Sequence, residues 1–203
     1  MTVGGVPRAV AFAVLGAVAA LLLGGALPVG DDDAGGRAEI GFARDMIVHH
    51  EQAVTMAQAV LGRDVSPSVA QVAAGVQLNQ LREIGQMEGW LGLWGAPLIG
   101  ADPPMAWTSG AHRHTPDGAM PGLATLDEIA ELGELEGAAL EKRFLQLMIR
   151  HHEGGRAMAA EAAHLARVPH VRSQAARMAT AQTRELTTMT GLLAALGATP
   201  LPA

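Results

Sequence analysis

Two pairs of adjacent histidines are the residues in this sequence best suited to chemistry. The first pair, His49-His50, follows the letters MIV, the second pair, His151-His152, follows the letters MIR, and a glutamate comes after each pair. Every residue of the second stretch lies 102 positions after its counterpart in the first. A neutral imidazole is a proton carrier and a ligand for zinc, copper, iron or nickel. Two such pairs in one register of an internal repeat therefore indicate a function rather than chance.

The repeat extends over a whole helical hairpin on each side. The first copy predicts a helix over about 37–61 and a second over about 68–94, which Ser66-Pro67 opens as a start signal. The second copy predicts helices over about 137–166 and 169–197. Because one hairpin cannot bury its apolar face alone, the two hairpins should pack into an all-α, ferritin-like four-helix bundle with approximate twofold symmetry.

Helical geometry places a polar layer inside this bundle. At about 100° per residue, the two histidines of each pair fall on the shoulders of the inward face, whereas Glu51 and Glu153 point outward. The inward stripes of the second and fourth helices carry an amide and a carboxylate each. These residues are Gln80, Glu83, Gln182 and Glu185. A buried carboxylate is costly unless it is paired or bound to a metal, so the layer is a candidate metal site.

The predicted site combines these groups. The proposed metal ligands are His49, His50, His151, His152, Glu83 and Glu185, with Gln80, Gln182, Met46 and Met148 in support. Imidazole and carboxylate suit copper, zinc or iron, and the thioethers nearby favour copper. The glutamates could instead fix the imidazole tautomers by hydrogen bonding. The alternative is a metal-free polar core that specifies unique packing.

The long connection between the hairpins holds a second candidate site. His112, His114 and Met120 lie there within a proline-rich stretch, and they could bind a soft metal ion. The alternative is a solvated polar loop. Glu161-Ala162-Ala163-His164 has the spacing of a di-iron element, but the helical wheel turns it outward.

The N-terminus is predicted to be a separate segment. Arg8 precedes an apolar run of about 19 residues, which fits either a cleaved signal peptide or a single membrane anchor. Both alternatives place the protein outside the cytoplasm, secreted or anchored to the cell membrane by one N-terminal helix. The predicted organisation is an N-terminal signal or anchor over 1–29, a flexible spacer over 30–36 and a bundle domain over 37–199, divided into repeat one 37–97, a connection 98–136 and repeat two 137–199.

Composition excludes several classes of site. The 203 residues contain no cysteine, which excludes disulfides, thiolate metal sites and iron–sulfur clusters. A net charge of −6 with no basic run argues against nucleic acid as a partner. Apolar residues make up 49 % and aromatic residues 3 %, which favours helices over strands.

These motifs together resemble the bacterial family of exported domains of unknown function numbered 305 (DUF305). The doubled histidine motif carries the resemblance, with further matches in Met56-Ala57, Met158-Ala159, Trp90-Leu91-x-x-Trp94-Gly95 and Met120-Pro121-Gly122. The resemblance implies a ferritin-like four-helix fold in a secreted or membrane-anchored protein. Some members of the family bind copper, which implies ligand roles for the four paired histidines.

The sequence therefore predicts an exported bundle that binds a transition metal, copper above zinc or iron, for sequestration or handling. A ferritin-like di-metal oxidase is the enzymatic rival, but it needs more inward carboxylates than Glu83 and Glu185. A structural or interaction module with a metal-free polar core is the third reading. The pattern favours a binding protein over an enzyme, indicates no catalytic residue, and leaves the oligomeric state open.

Overall fold

The computed structural model describes residues 34–108 and 120–201. The chain divides into a unit of residues 1–34 and a unit of residues 35–203, and the described helices all belong to the second unit. The predicted signal or anchor, His112 and His114 lie outside the described residues. None of the described helices combines the length and the hydropathy needed to cross a membrane.

Five α-helices and no strand make up the described part of the chain: α1 (Arg37–Gln58), α2 (Pro67–Leu93), α3 (Leu126–Glu134), α4 (Gly137–Leu165) and α5 (Pro169–Ala195). α1 and α2 form one hairpin, α4 and α5 form the other, and α1 packs against α4. This confirms the predicted all-α bundle of two repeated hairpins. α1 ends before the predicted Leu61, because the chain leaves the helix in a turn that reaches Gly62 at φ +80°.

The helix ends follow from local sequence signals. The Ser66 hydroxyl accepts the Val69 N–H at 3.5 Å, and proline occupies the first position of α2. α2 and α5 end at counterpart glycines, Gly95 at φ +64° and Gly197 at φ +70°. These shared signals make the two hairpins similar in length.

Two buried glutamates tie the hairpins together in a crossed fashion. Glu39 of α1, only 2 % exposed, accepts the backbone N–H groups of Arg167 and Val168 in the turn before α5. Its counterpart Glu141 of α4, 6 % exposed, accepts the backbone N–H of Ser66 before α2. Each hairpin therefore provides a carboxylate that accepts backbone N–H groups in the turn of the other hairpin, where these groups have no partner within a helix.

The polar layer divides the hydrophobic core into two clusters. The first cluster contains Phe42, Met46 and Met158, and the second contains Phe144 and Met148. On each of the four long helices, the residues of one cluster precede the polar positions and those of the other follow them, except that Val54 of α1 belongs to the first cluster. The histidines and glutamines thus form a cross-section through the middle of the bundle.

The described parts of the connection are held on the α1 and α4 side. Asp45 of α1 accepts the Met105 N–H at 2.7 Å and the Trp107 Nε1–H at 2.8 Å. Gln52 of α1 exchanges two hydrogen bonds with the backbone of Ala124, at 2.9 and 2.7 Å. Burial raises the pKa of Asp45 above its usual range, because it outweighs the effect of the hydrogen bonds from Met105 and Trp107.

The short helix α3 is held against α4 by charge. A capping box joins Thr125 and Glu128 at 3.2 and 2.9 Å, and the Glu128 carboxylate also accepts guanidinium N–H groups of Arg150 and Arg143. The hydrogen bond from Arg150 is the main reason why the pKa of Glu128 lies below its usual value. The net attraction keeps α3 docked against α4.

Candidate metal-binding site

The four paired histidines meet in the middle of the bundle. His49, His50 and His152 are 0 % exposed and His151 is 1 % exposed. The rings of His49 and His151 lie 3.8 Å apart between centroids at an interplanar angle of 37°, and those of His151 and His152 lie 6.1 Å apart. The two pairs, from α1 and α4, therefore form one layer rather than two separate surface features.

One histidine of each pair binds a glutamate from the partner helix of its own hairpin. His50 Nε2 lies 2.8 Å from Glu83 Oε2, and His152 Nε2 lies 2.8 Å from Glu185 Oε2. The glutamate side chains retain 20 % and 27 % of their exposure, so they lie at the edge of the layer and not in the dry core. Part of each carboxylate faces solvent, which lowers the cost of its charge.

The other histidine of each pair binds a backbone carbonyl. His49 Nε2 lies 3.1 Å from the carbonyl oxygen of Pro121, and His151 Nε2 lies 2.9 Å from that of His49. Carbonyl and carboxylate oxygens only accept hydrogen bonds, so each of the four Nε2 atoms carries the proton. In a neutral imidazole this leaves the lone pair on Nδ1.

The four Nδ1 atoms are buried without a partner in the described part of the chain. Burying an unpaired polar atom is costly, and such atoms need an explanation. Metal-binding histidines commonly donate one ring N–H to a carboxylate or carbonyl and bind the ion through the other nitrogen. The hydrogen bonding of this layer has that form at all four rings.

The electrostatics of the layer favour neutral rings at His49 and His151. Burial first, and then the neighbouring His50, lower the pKa of His49 to about 3. Burial and then His49 likewise lower the pKa of His151 well below its usual value. Burial acts to raise the pKa of Glu185. The hydrogen bonds from His152 and Asn79 and the electrostatic interaction with His152 act in the opposite direction and outweigh burial, so the pKa of Glu185 lies below its usual value. Unprotonated rings need not lose a proton before binding a metal ion at neutral pH.

The connection covers the layer on the α4 side through a close backbone contact. A Cβ atom on Gly154 would stand 2.0 Å from the Pro121 carbonyl oxygen, the atom that accepts the His49 hydrogen bond. Gly122 follows at φ +81°, where a side chain would also meet the carbonyl oxygen of Arg150 at 2.5 Å. Only glycine at these positions allows the connection to approach the helix so closely.

A groove opens on the opposite side of the layer, between α2 and α5. It has a volume of about 820 Å³, and its lining includes the four predicted inward polar residues, Gln80, Glu83, Gln182 and Glu185. The two glutamines are 3 % and 4 % exposed, and the Oε1 atom of each is buried without a partner among the described residues. The polar layer therefore extends to the floor of this groove, where the two amide oxygens have no hydrogen-bond partner among the described residues.

The remaining predicted residues are placed as follows. Met46 and Met148 are fully buried, one in each core cluster, and Met120 is 6 % exposed in the first cluster. Glu51 is exposed and Glu153 is partly exposed, in agreement with the helical wheel. Within residues 34–108 and 120–201, no three histidine or carboxylate side chains stand in an arrangement that would hold an ion.

The sequence did not reveal the residues that join the two hairpins or that bring the connection close to the layer. Glu39 and Glu141 were recognisable, because they are counterparts at the repeat offset. Gly154 gave no such signal, since the corresponding residue of the first copy is Gln52. These two positions differ because both contact the single connection, which the repeat does not duplicate.

Comparisons with known proteins agree with this architecture. The model of a family described as "Domain of unknown function (DUF305)" matches residues 39–193. A presumptive secreted protein of that family from Streptomyces coelicolor is 38 % identical, with 84 % of this chain and 99 % of that chain covered and a TM-score of 0.75. A DUF305 fragment from Deinococcus radiodurans is 32 % identical, with coverage of 80 % and 99 % and a TM-score of 0.66.

A more distant likeness extends to a copper-bound protein. CopM, solved in Cu(II)-bound and Cu(I)-bound forms, is 20 % and 21 % identical, with 77 % of this chain and 96 % of that chain covered and a TM-score of 0.60 for each form. At this identity the likeness shows the fold alone. No curated protein matches the chain.

Proposed function

The chain belongs to the DUF305 family, and we propose that it is an exported protein that binds a transition-metal ion, copper foremost, in the histidine layer. One observation carries the proposal. All four Nε2 atoms face acceptor oxygens, and the four Nδ1 atoms are buried without a partner among the described residues. The chemistry of such a donor set fits a borderline or soft transition metal.

In this proposal each residue has a distinct part. The ligand nitrogens are Nδ1 of His49, His50, His151 and His152. Glu83 and Glu185 hold the rings of His50 and His152 in the required tautomer, which raises the basicity of the ligand nitrogen. This refines the prediction from sequence, which offered the same glutamates as ligands or as hydrogen-bond partners.

Copper is favoured over zinc or iron by three features. The donors available are imidazole nitrogens, with the thioethers of Met46 and Met148 packed in the adjoining core clusters. The described carboxylates that reach the layer, Glu83 and Glu185, already accept hydrogen bonds from histidine. CopM, a protein of the same fold, is known with copper bound. Export is supported by the apolar N-terminal run and by the presumptive secretion of the Streptomyces coelicolor relative.

Metal content and affinity test the proposal. The purified protein should take up copper, and His50→Ala/His152→Ala should lose most of that copper. His164→Ala is the matched control, because His164 is exposed on α4 outside the layer. Uptake that is equal in all three proteins would contradict the proposal and would assign the copper to other groups.

A metal-free polar layer is the competing function, and one observation favours it. No three candidate ligands in the described parts of the chain are arranged around a common point. In that case the layer would serve only to fix how the two hairpins pack. A melting temperature that does not respond to copper or zinc, together with no bound metal, would decide for this alternative.

A further inference from the structure

The lining of the groove between α2 and α5 includes three residues that are identical in both copies of the repeat. Three pairs of counterparts contribute to it: Gln80 and Gln182, Arg82 and Arg184, and Glu83 and Glu185. The two helices belong to different hairpins. These three pairs follow the approximate twofold relation of the bundle, whereas Ser173, Gln174 and Arg177 of α5 line the groove without a counterpart from α2.

The floor of the groove adjoins the histidine layer. A Cβ atom on Gly155 of α4 would stand 2.7 Å from Gln182 Oε1 and 3.0 Å from His49 Cε1, so the amide and the imidazole meet at this glycine. The Oε1 atoms of both glutamines lack partners in the described structure, although both side chains are more than nine-tenths buried. A molecule in the groove would therefore be separated from the ligand nitrogens by a single layer of unsatisfied amides.

The groove carries more positive than negative charge. Arg82 and Arg184 are exposed, and their guanidinium groups have no hydrogen-bond or ion-pair partner among the described residues. Arg177 adds a third guanidinium, which donates to Ser173 Oγ at 2.6 Å and Gln174 Oε1 at 2.7 Å. Against these stand the two glutamates, whose carboxylates already accept hydrogen bonds from histidine.

The two free arginines are retained at positions where exposed neighbours differ between the copies. Leu81 corresponds to Thr183, just before each arginine, and Glu88 corresponds to Thr190. All four of these neighbours are exposed. Exposed positions on these helices are therefore not alike in the two copies as a rule. The presence of arginine at both counterpart positions indicates a role that the two arginines share.

We infer that the groove binds the metal as a small anionic chelate that bears carboxylates. Guanidinium forks match carboxylates in geometry and charge, and the three arginines outnumber the two glutamates, so the groove favours an anion over a bare cation. Copper binds oxygen and nitrogen ligands more tightly than other divalent first-row metals, so it readily exists as such a complex. Arg82 and Arg184 would bind the carboxylates of the chelator, with the metal toward the glutamines.

This inference rests on the proposed function for the identity of its cargo. Delivery is then a ligand exchange without a change of oxidation state. Copper–oxygen bonds to the chelator are replaced by copper–nitrogen bonds to histidine Nδ1, and the chelator leaves with its carboxylates. The inference adds a substrate class, a copper carboxylate complex, and a recognition surface separate from the histidines.

The test compares two sources of copper in the Arg82→Gln/Arg184→Gln variant. Copper(II) citrate is anionic and bears carboxylates, whereas copper(II) ethylenediamine is cationic and has none. The initial rate of uptake from citrate should fall about fivefold, since two partly exposed charge pairs are worth somewhat under 1 kcal/mol together. Uptake from ethylenediamine should not fall. The matched control is Arg156→Gln/Arg167→Gln, which removes the same charge from exposed side chains outside the groove.

The outcomes separate the inference from the proposed function. Equal citrate rates in the groove variant and the control, or an equal loss from both copper sources, would overturn the inference. Failure of the unmodified protein to load from either source would overturn the proposed function instead. In that case the groove is tested separately, by titrating the protein with copper-free citrate and following the arginine Nε–H signals by NMR. Saturable shifts at Arg82 and Arg184, without shifts at Arg167, support the inference, and their absence refutes it.

Discussion

Replacing Gly154 with alanine should destabilise the protein by about 3 kcal/mol, although alanine is the better helix former. The added Cβ would stand 2.0 Å from the Pro121 carbonyl oxygen and 2.4 Å from its carbonyl carbon. Ordinary contact begins at 3.4 Å, so the connection must move away from α4. The obstacle is backbone on both sides, and no side-chain rotation can relieve it.

The magnitude follows from two losses and one gain. Moving Pro121 breaks the hydrogen bond of 3.1 Å from His49 and leaves a buried N–H unpaired, at a cost of about 1–3 kcal/mol. Forcing the connection outward adds about 1–3 kcal/mol of packing strain. Alanine returns only about 0.5–1 kcal/mol of helix propensity. The losses exceed the gain, so Gly154→Ala should lower the free energy of unfolding.

Gly85→Ala is the matched control for this prediction. Gly85 lies inside α2, is exposed, and a Cβ there would meet nothing within 4 Å. That variant should gain about 0.5–1 kcal/mol. Urea unfolding of both variants, followed by circular dichroism, measures the two free energies of unfolding. If Gly154→Ala is as stable as the unmodified protein, or shifts in the same direction as Gly85→Ala, the close approach of the connection is wrong.

Three further predictions test neighbouring parts of the account. Gly155→Ala should cost less than Gly154→Ala, about 1 kcal/mol or below, because the end of the flexible Gln182 side chain can yield; a larger loss in urea unfolding would argue against this. Glu39→Gln should lower the free energy of unfolding by about 1–2 kcal/mol, because the amide loses a charge-assisted bond to backbone N–H; unchanged hydrogen exchange at Arg167 would contradict this. Glu128 has a lowered pKa, so its contribution is present above the usual carboxyl pKa and is lost as the pH falls through the folded value. Glu128→Gln should therefore cost about 1 kcal/mol at pH 7 and progressively less as the pH falls below the usual carboxyl pKa, and a cost that does not change with pH would refute the ion pair.

The sequence predicted the bundle because its signals are local and are repeated. The start signal at Ser66, the stop glycines Gly95 and Gly197 and the apolar periodicity all act within a few residues. The repeat then indicated the packing, since two similar hairpins, each with one apolar face, must cover each other. The helical wheel also placed Glu51 and Glu153 on the outside correctly, because side-chain direction follows directly from helix geometry.

The hydrogen bonding of the layer could not be predicted in the same way. The partner of His49 is the backbone of Pro121, and that of His151 is the backbone of His49. Backbone acceptors leave no trace in residue types, and the position of Pro121 depends on how a long connection folds back. The sequence therefore identified the residues of the layer but not which ring nitrogen is free.

The most direct test of the central claim is the response of the histidine ring nitrogens to Cu(I), a diamagnetic ion, in protein labelled with ¹⁵N-histidine. We expect the Nδ1 resonances of His49, His50, His151 and His152 to shift on titration. The Nε2 protons of these rings should be retained in the bound form, because they stay hydrogen-bonded to Glu83, Glu185 and the two carbonyl oxygens. Loss of the Nε2 protons, or shifts confined to the other histidines of the chain, would contradict the account.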